Sequence, residues 1–206
     1  MCGRYTVFTE DEIAELRAIL NEINERYKHT QLHAAMATGE VRPTNVAPVL
    51  TADGPHLMRW GFPSWKGSGV LINARAETAP EKPTFKQSLL SRRCVIPSAG
   101  FFEWSHDAGP KIKYLCRLHE TPLLLMAGIY NLYANEHGEK EEHYAILTTD
   151  ANADMAPVHD RMPVILRPNE KNAWIKDPGV TMDILHRPGP ALLLTAVGGY
   201  TQGSLF

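Results

Sequence analysis

Five short apolar segments follow one another between residues 94 and 148, and nothing of helical period interrupts them. They are Cys94–Ile96, Gly100–Trp104, Tyr114–Leu118, Leu123–Tyr130 and His143–Thr148. Turn residues separate them, among them Asp107-Ala108-Gly109-Pro110 and Glu136-His137-Gly138. Strands joined by tight turns pair with their sequence neighbours in the antiparallel sense. The fold class this predicts is α+β. One domain, residues 1–206, is built on a mostly antiparallel, curved or barrel-like sheet with helices at its periphery.

The flanking segments fit that plan. Thr9 to Lys28 reads as a helix: Thr9 and Glu12 have capping-box spacing, and Ile13, Leu16, Ile19, Leu20, Ile23 and Tyr27 make one apolar stripe. Arg42 to Pro48, with two prolines, is expected to be irregular or extended. Val49–Thr51 and Leu57–Trp60 flank Asp53-Gly54, a hairpin signal. Gly61 to Gly69 reads as a loop and Val70 to Ala76 as an extended segment. Pro83 to Arg92 reads as a short helix with Phe85, Leu89 and Leu90 inward. A short helix is also expected at Asp150–Ala156, and strand, helix and strand at Pro163–Leu166, Asn169–Ile175 and Ala191–Val197.

A net charge of −2 makes the chain no general attractor of polyanions, so a nucleic-acid partner requires a local basic patch. No apolar run reaches the roughly 18 residues of a membrane span, and no membrane association is expected. Glu10, Asp11 and Glu12 rule against a basic-then-apolar leader, so the expected compartment is the cytoplasm, or the nucleus of a eukaryote. Three cysteines, an odd number widely spaced, do not make a disulfide framework. Cys94 and Cys116 lie in strand-like runs and are expected to be core thiols. Cys116 and His119 lack a second ligand pair, so neither a metal nor another cofactor is expected.

Chemistry begins at Met1-Cys2-Gly3-Arg4-Tyr5. With Met1 removed, Cys2 carries an α-amine and a thiol on adjacent carbons. The amine condenses with an aldehyde to an imine, and the thiol closes onto the same carbon as a five-membered thiazolidine. Unperturbed values of about 7.7–8.0 for the amine and about 8.5 for the thiol lie close to neutrality.

Three further constellations stand out. In the extended run Ile72-Asn73-Ala74-Arg75, Asn73 and Arg75 share a face, an amide beside a guanidinium. In Gly100-Phe101-Phe102-Glu103-Trp104 a carboxylate sits among aromatics, an environment that raises its pKa and suits proton transfer. In Pro157-Val158-His159-Asp160-Arg161-Met162-Pro163 two prolines stiffen a loop that holds a histidine. Arg4, Arg42, Arg75 and Arg161, with Pro43 and Trp65 as flat or wedging surfaces, can line a groove for a single strand, and Arg92-Arg93 can add to it. The residues alone leave three other readings open: an N-terminal-nucleophile amidohydrolase, a thiol peptidase, or a non-catalytic single-strand-binding module.

Taken in order, these motifs resemble the SRAP family, the SOS-response-associated peptidase-like proteins. The resemblance rests on Met1–Tyr5, Asn45–Pro48, Met58–Gly61, Asn73–Glu77, Arg92–Cys94, Gly100–Trp104 and His159–Pro163. It implies an abasic-site sensor acting on single-stranded DNA, without an obligate protein partner and as a monomer. It implies Cys2 as nucleophile, Asn73 orienting the reacting centre, Glu103 shuttling protons and His159 assisting sugar-ring opening. Arg4, Arg75 and Arg161 would hold phosphates, with Pro43 and Trp65 near the bases. The Trp60–Trp65 segment is one residue shorter than the family's usual one. With the sequence ending at Phe206, no tail-borne partner motif is expected.

Overall fold

The computed structural model describes residues 2–7, 13–64, 67, 69–105, 111–135 and 137–197. The proposed capping box at Thr9 and Glu12, and Trp65, lie outside them. Five strands close a barrel. Lys140–Asp150 pairs with Gly54–Trp60, which pairs with Val46–Thr51, then Arg93–Ser98, then Leu124–Ala134, which returns to Lys140–Asp150. Every pairing in the ring is antiparallel except one: His143 and Tyr144 run parallel to Arg59 and Trp60. Thr51 faces Gly54 across the expected hairpin turn.

Alternate residues explain the unbroken apolar runs. Cys94, Ile96, Met126, Tyr144 and Ile146 point into one buried cluster. Their neighbours Val95, Leu125, Ala127, Ala145 and Leu147 point into a second, beneath the helices Pro83–Ser91, Lys171–Lys176 and Thr181–His186. A strand covered on both faces has no polar side to show. Trp174 is fully buried there and donates its indole N–H to the Cys94 carbonyl at 2.8 Å. Burying a large apolar side chain stabilises by roughly 1.5–3 kcal/mol.

A second, five-stranded antiparallel sheet stands against the barrel. Its order is Leu192–Ala196, Lys113–Leu118, Gly100–Trp104, Tyr5–Thr6, Glu40–Val41. The barrel strand Arg93–Ser98 runs on through Ala99 into Gly100–Trp104, so one segment serves both layers. Gly100 marks the passage, where a Cβ would lie 2.8 Å from the Cys116 carbonyl oxygen. The inward residues Tyr5, Phe101 and Cys116 join the cluster that fills the barrel.

Several local expectations change. The first helix spans Ala14–Tyr27 and buries Leu16 and Ile23, with Ile23 packed on Val46 and Leu57 of the hairpin. Leu90 is 56% exposed, and Ser88 takes the inward position beside Phe85 and Leu89. Asp150–Ala156 is not a helix. Asp150 ends a strand, and the Asn152 side chain accepts from the Met155 amide at 3.0 Å while donating to the Pro190 carbonyl at 2.6 Å. An asparagine that bonds backbone locally in this way competes with helical hydrogen bonding. Among the described residues no helix is long and apolar enough to cross a membrane.

Candidate active site

The N-terminal strand carries Cys2 to the junction of the two layers. Tyr5 faces Phe101 on one side and Val41 on the other, and the Phe102 amide donates to the Arg4 carbonyl at 2.8 Å. Cys2 is wholly buried in the cluster that includes Tyr5, Phe101 and Cys116. Its Sγ lies 3.9 Å from the Arg4 carbonyl oxygen. Burial first, and then the nearby Glu103 charge, push the thiol far above its ordinary range, so it rests as S–H at neutral pH.

Asn73 enters from the barrel. Its strand, Asn73–Arg75, runs parallel to Ile146–Thr148, which turns Ala74 into the core and leaves Arg75 exposed. The Asn73 side-chain amide donates to the Cys2 carbonyl at 2.9 Å. Its own Oδ1 is buried and has no hydrogen-bond partner among the described residues. Glu103 is 4% exposed, and burial pushes its carboxyl up to about 7. A carboxyl with that value both gives and takes a proton near neutrality. Asp160 adds to the upward push on Glu103, which sets the His159 loop within electrostatic reach of it.

His159 is buried, and two groups compete for its Nδ1: the Arg161 amide N–H at 2.9 Å and the Asp160 Oδ1 at 2.7 Å. One nitrogen cannot accept from the first and donate to the second at once. The amide is fixed by the backbone while Asp160 is 80% exposed, so we assign the neutral ring its proton on Nε2.

Arg161 is placed otherwise than the sequence suggested. Its guanidinium is buried, grips both oxygens of Glu77 at 2.9 Å, and reaches Asp150 Oδ1 at 2.5 Å and the Thr148 carbonyl at 2.7 Å. Those partners take up the four terminal N–H groups and tie the His159 loop to the segment after Arg75, while the buried Nε–H has no acceptor among the described residues. Arg93 is also removed from any groove. It is 5% exposed and donates to the carbonyls of Leu89, Leu90, Trp174 and Ile175, near the ends of two helices. Arg92 donates to Asn131 Oδ1 at 3.1 Å.

The remaining cations face outward. Arg75 is exposed and makes no ion pair among the described residues. Arg4 pairs with Glu40 at 2.8 Å and lies 5.0 Å from the centre of the Trp104 ring. Pro43 is half-buried in the turn Arg42–Asn45, whose third residue, Thr44, has φ 71°. A β-branched residue in the left-handed region is a true outlier. It is held there by the Thr44 amide on the Trp60 carbonyl at 2.8 Å and by Arg59 on the Thr44 carbonyl at 2.9 Å. Among the described residues no group of three or more His, Cys, Asp or Glu side chains is arranged to hold a metal.

Sequence reasoning missed the floor of the site. The Tyr5 and Tyr144 hydroxyls meet at 2.6 Å, and Trp60 lies against both rings. The signal was present, since Tyr5 belongs to the opening motif and Trp60 to Met58–Gly61, but nothing local pairs residue 5 with residue 144. It missed Glu77 as well, although that residue closes the Asn73–Glu77 run.

Comparison with known proteins shows the family. Residues 1–194 match the model of the family described as SOS response associated peptidase (SRAP). The abasic site processing protein YoqW of Bacillus subtilis is 36% identical over 201 residues, spanning 90% of this chain and 84% of that one. The abasic site processing protein YedK of Escherichia coli is 30% identical over 142 residues, 64% of each chain. In the fold comparison, a crystal structure of a Bacteroides thetaiotaomicron protein superposes with a TM-score of 0.76 at 24% identity, covering 96% of this chain and 92% of that one. With its ordered motifs, its barrel and the match along almost all of its length, this chain belongs to the SRAP family.

Proposed function

We propose that the protein processes abasic sites in single-stranded DNA by forming a covalent thiazolidine crosslink through Cys2. The observation that carries this reading is the hydrogen bond from Asn73 to the Cys2 carbonyl beside a buried carboxyl poised at about 7. The processing names of the relatives at 30–36% identity support the substrate.

Removal of Met1, by the protein itself in this reading, frees the α-amine. That amine adds to the C1′ aldehyde of the ring-opened sugar and forms a carbinolamine. Protonated Glu103 gives its proton to the leaving hydroxyl, and water departs as the protonated imine forms. The Glu103 carboxylate then takes the thiol proton, and sulfur adds to the imine carbon. One aldehyde and one aminothiol become one thiazolidine and one water. The thiol, pushed high by its burial, needs that base. The open acceptor Asn73 Oδ1 suits the N–H of the reacting amine. His159, its proton on Nε2, assists opening of the sugar ring. Arg4 and Arg75 hold phosphates, with Pro43 and Trp65 near the bases.

The test is incubation with abasic single strands followed by a denaturing gel, with and without borohydride. Cys2→Ala should leave an adduct only when reductant traps the imine. A permanent N-terminal extension should leave none under either condition. Glu103→Gln should slow formation and reversal alike by about 10²–10⁴-fold. A fully active extended protein, shown by mass spectrometry to keep its extension, would falsify the aminothiol step.

A further inference from the structure

A cavity of about 110 Å³ opens between the helices Pro83–Ser91 and Thr181–His186. It belongs to the half of the core that holds Leu89 and Trp174, not to the cluster around Cys2. Leu89, Leu90 and Met182 make apolar walls, and Leu90 and Met182 remain exposed. The polar lining is Thr181, Lys86 and Arg93, with no carboxylate among the lining residues. Thr181 is 6% exposed, and its hydroxyl is buried with no hydrogen-bond partner among the described residues. A buried hydroxyl left unpaired is costly and calls for an explanation. Arg93 gives its Nε–H, both Nη1–H groups and one Nη2–H to the carbonyls of Trp174, Leu89, Leu90 and Ile175. Of its five N–H groups, the second Nη2–H is left without an acceptor among the described residues. Nor does any described carboxylate form an ion pair with Arg93. Asp177 acts on it from a distance, and its own Oδ1 accepts from the Gly179 amide at 2.7 Å. Lys86 is exposed and makes no ion pair among the described residues.

We propose that this cavity is a binding site for a small monocarboxylate with an apolar body, an aromatic or branched aliphatic acid. The carboxylate would take the Thr181 hydroxyl proton and the spare Arg93 N–H, the two donors that the fold leaves unanswered. Lys86 would add its charge. The body would lie against Leu89, Leu90 and Met182. Size sets the class: an apolar cavity of about 150 Å³ takes up benzene, so a space of this order holds one ring and not a larger ligand. Charge sets it too, since two cations and a hydroxyl with no acidic neighbour in the lining favour an anion over an amine. The proposal does not depend on the chemistry read at Cys2.

The experiment titrates the full chain with benzoate, benzamide and acetate and follows the backbone amides of Leu89, Leu90, Thr181 and Met182 by NMR. Benzoate should bind with a Kd on the order of 1 mM, as the efficiency range of small ligands allows. Benzamide, which keeps the ring without the charge, and acetate, which keeps the charge without the ring, should each bind about tenfold more weakly or worse. Thr181→Val keeps the shape and removes the hydroxyl, and should weaken benzoate about tenfold. Its melting temperature should hold or rise, because the hydroxyl it removes is unpaired. A group that merely supported the fold would lower the melting temperature and leave benzoate binding alone. Lys86→Gln should weaken benzoate about threefold, a loss that high salt erases. Equal affinity for benzoate and benzamide overturns the proposal, as do undiminished binding to Thr181→Val and the absence of saturable shifts at these amides in the millimolar range. Should Thr181→Val fail to fold, the contrast among the three ligands on the unmodified protein still decides.

Discussion

Arg93 and Arg161 are both buried, yet burial means different things at the two places. Arg93, 5% exposed, is surrounded by backbone carbonyls near the ends of the Pro83–Ser91 and Lys171–Lys176 helices. Burial lowers its pKa, and the charge of Asp177 opposes this without overcoming it. Helix C-termini carry partial negative charge and orphan carbonyls, and a guanidinium answers both. Arg161, 6% exposed, meets two carboxylates that themselves reach solvent, Glu77 at 39% and Asp150 at 85%. Burial would lower its pKa, but those carboxylates raise it. The kind of partner separates a structural cation from one tied to the site. Carbonyls locked in helices cannot leave, whereas partly solvated carboxylates can be re-solvated.

The largest expected effect follows directly. Arg93→Met strands several buried carbonyls and should cost about 3–5 kcal/mol in a denaturant melt. Arg161→Met should cost less, about 1–2 kcal/mol, because Glu77 and Asp150 return to water. Equal losses would erase the distinction. Acid sharpens it. Glu77 is held below its ordinary value: burial opposes this, and the Arg161 hydrogen bonds override. A carboxyl depressed on folding stabilises above its unfolded pKa of about 4.3 and loses that contribution as pH falls through the folded value. The Arg161→Met penalty should therefore be full at neutral pH and shrink below about pH 4, while the Arg93→Met penalty stays flat across that window. The smallest effect belongs to exposed Arg75. Arg75→Gln should change stability by less than about 0.5 kcal/mol, yet weaken strand binding measurably at low salt.

The same pair marks what could be read in advance. Local signals were legible: the Asp53-Gly54 turn, the alternation that buries Ala74 and exposes Arg75, and the carboxylate placed among aromatics at Glu103. What failed was long-range. Nothing near Arg161 in the sequence announces Glu77, and nothing near Arg93 announces the Trp174 carbonyl. Both arginines therefore read as surface cations. A barrel-like sheet was anticipated but not the pairing that closes it, because His143 with Arg59 is parallel and joins segments far apart in the chain. The helices Gln31–Ala34 and Thr181–His186 went unread because four or six residues are too few to show a periodic stripe.

The closing parallel pair also governs when the site exists. Asn73 lies 71 residues from the Cys2 it holds. It is fixed in place by pairing with Ile146, in the strand that completes the ring. Contacts so distant in sequence form only after their loop-closure cost has been met. A nascent chain presents residue 2 first and residue 146 much later, so synthesis runs well ahead of assembly. Until the ring closes, Cys2 is a solvated thiol without its buried carboxyl neighbour and without Asn73. In the proposed reading competence therefore waits on that pairing, and a chain that stalls before it holds Cys2 with neither Asn73 nor the buried Glu103 beside it.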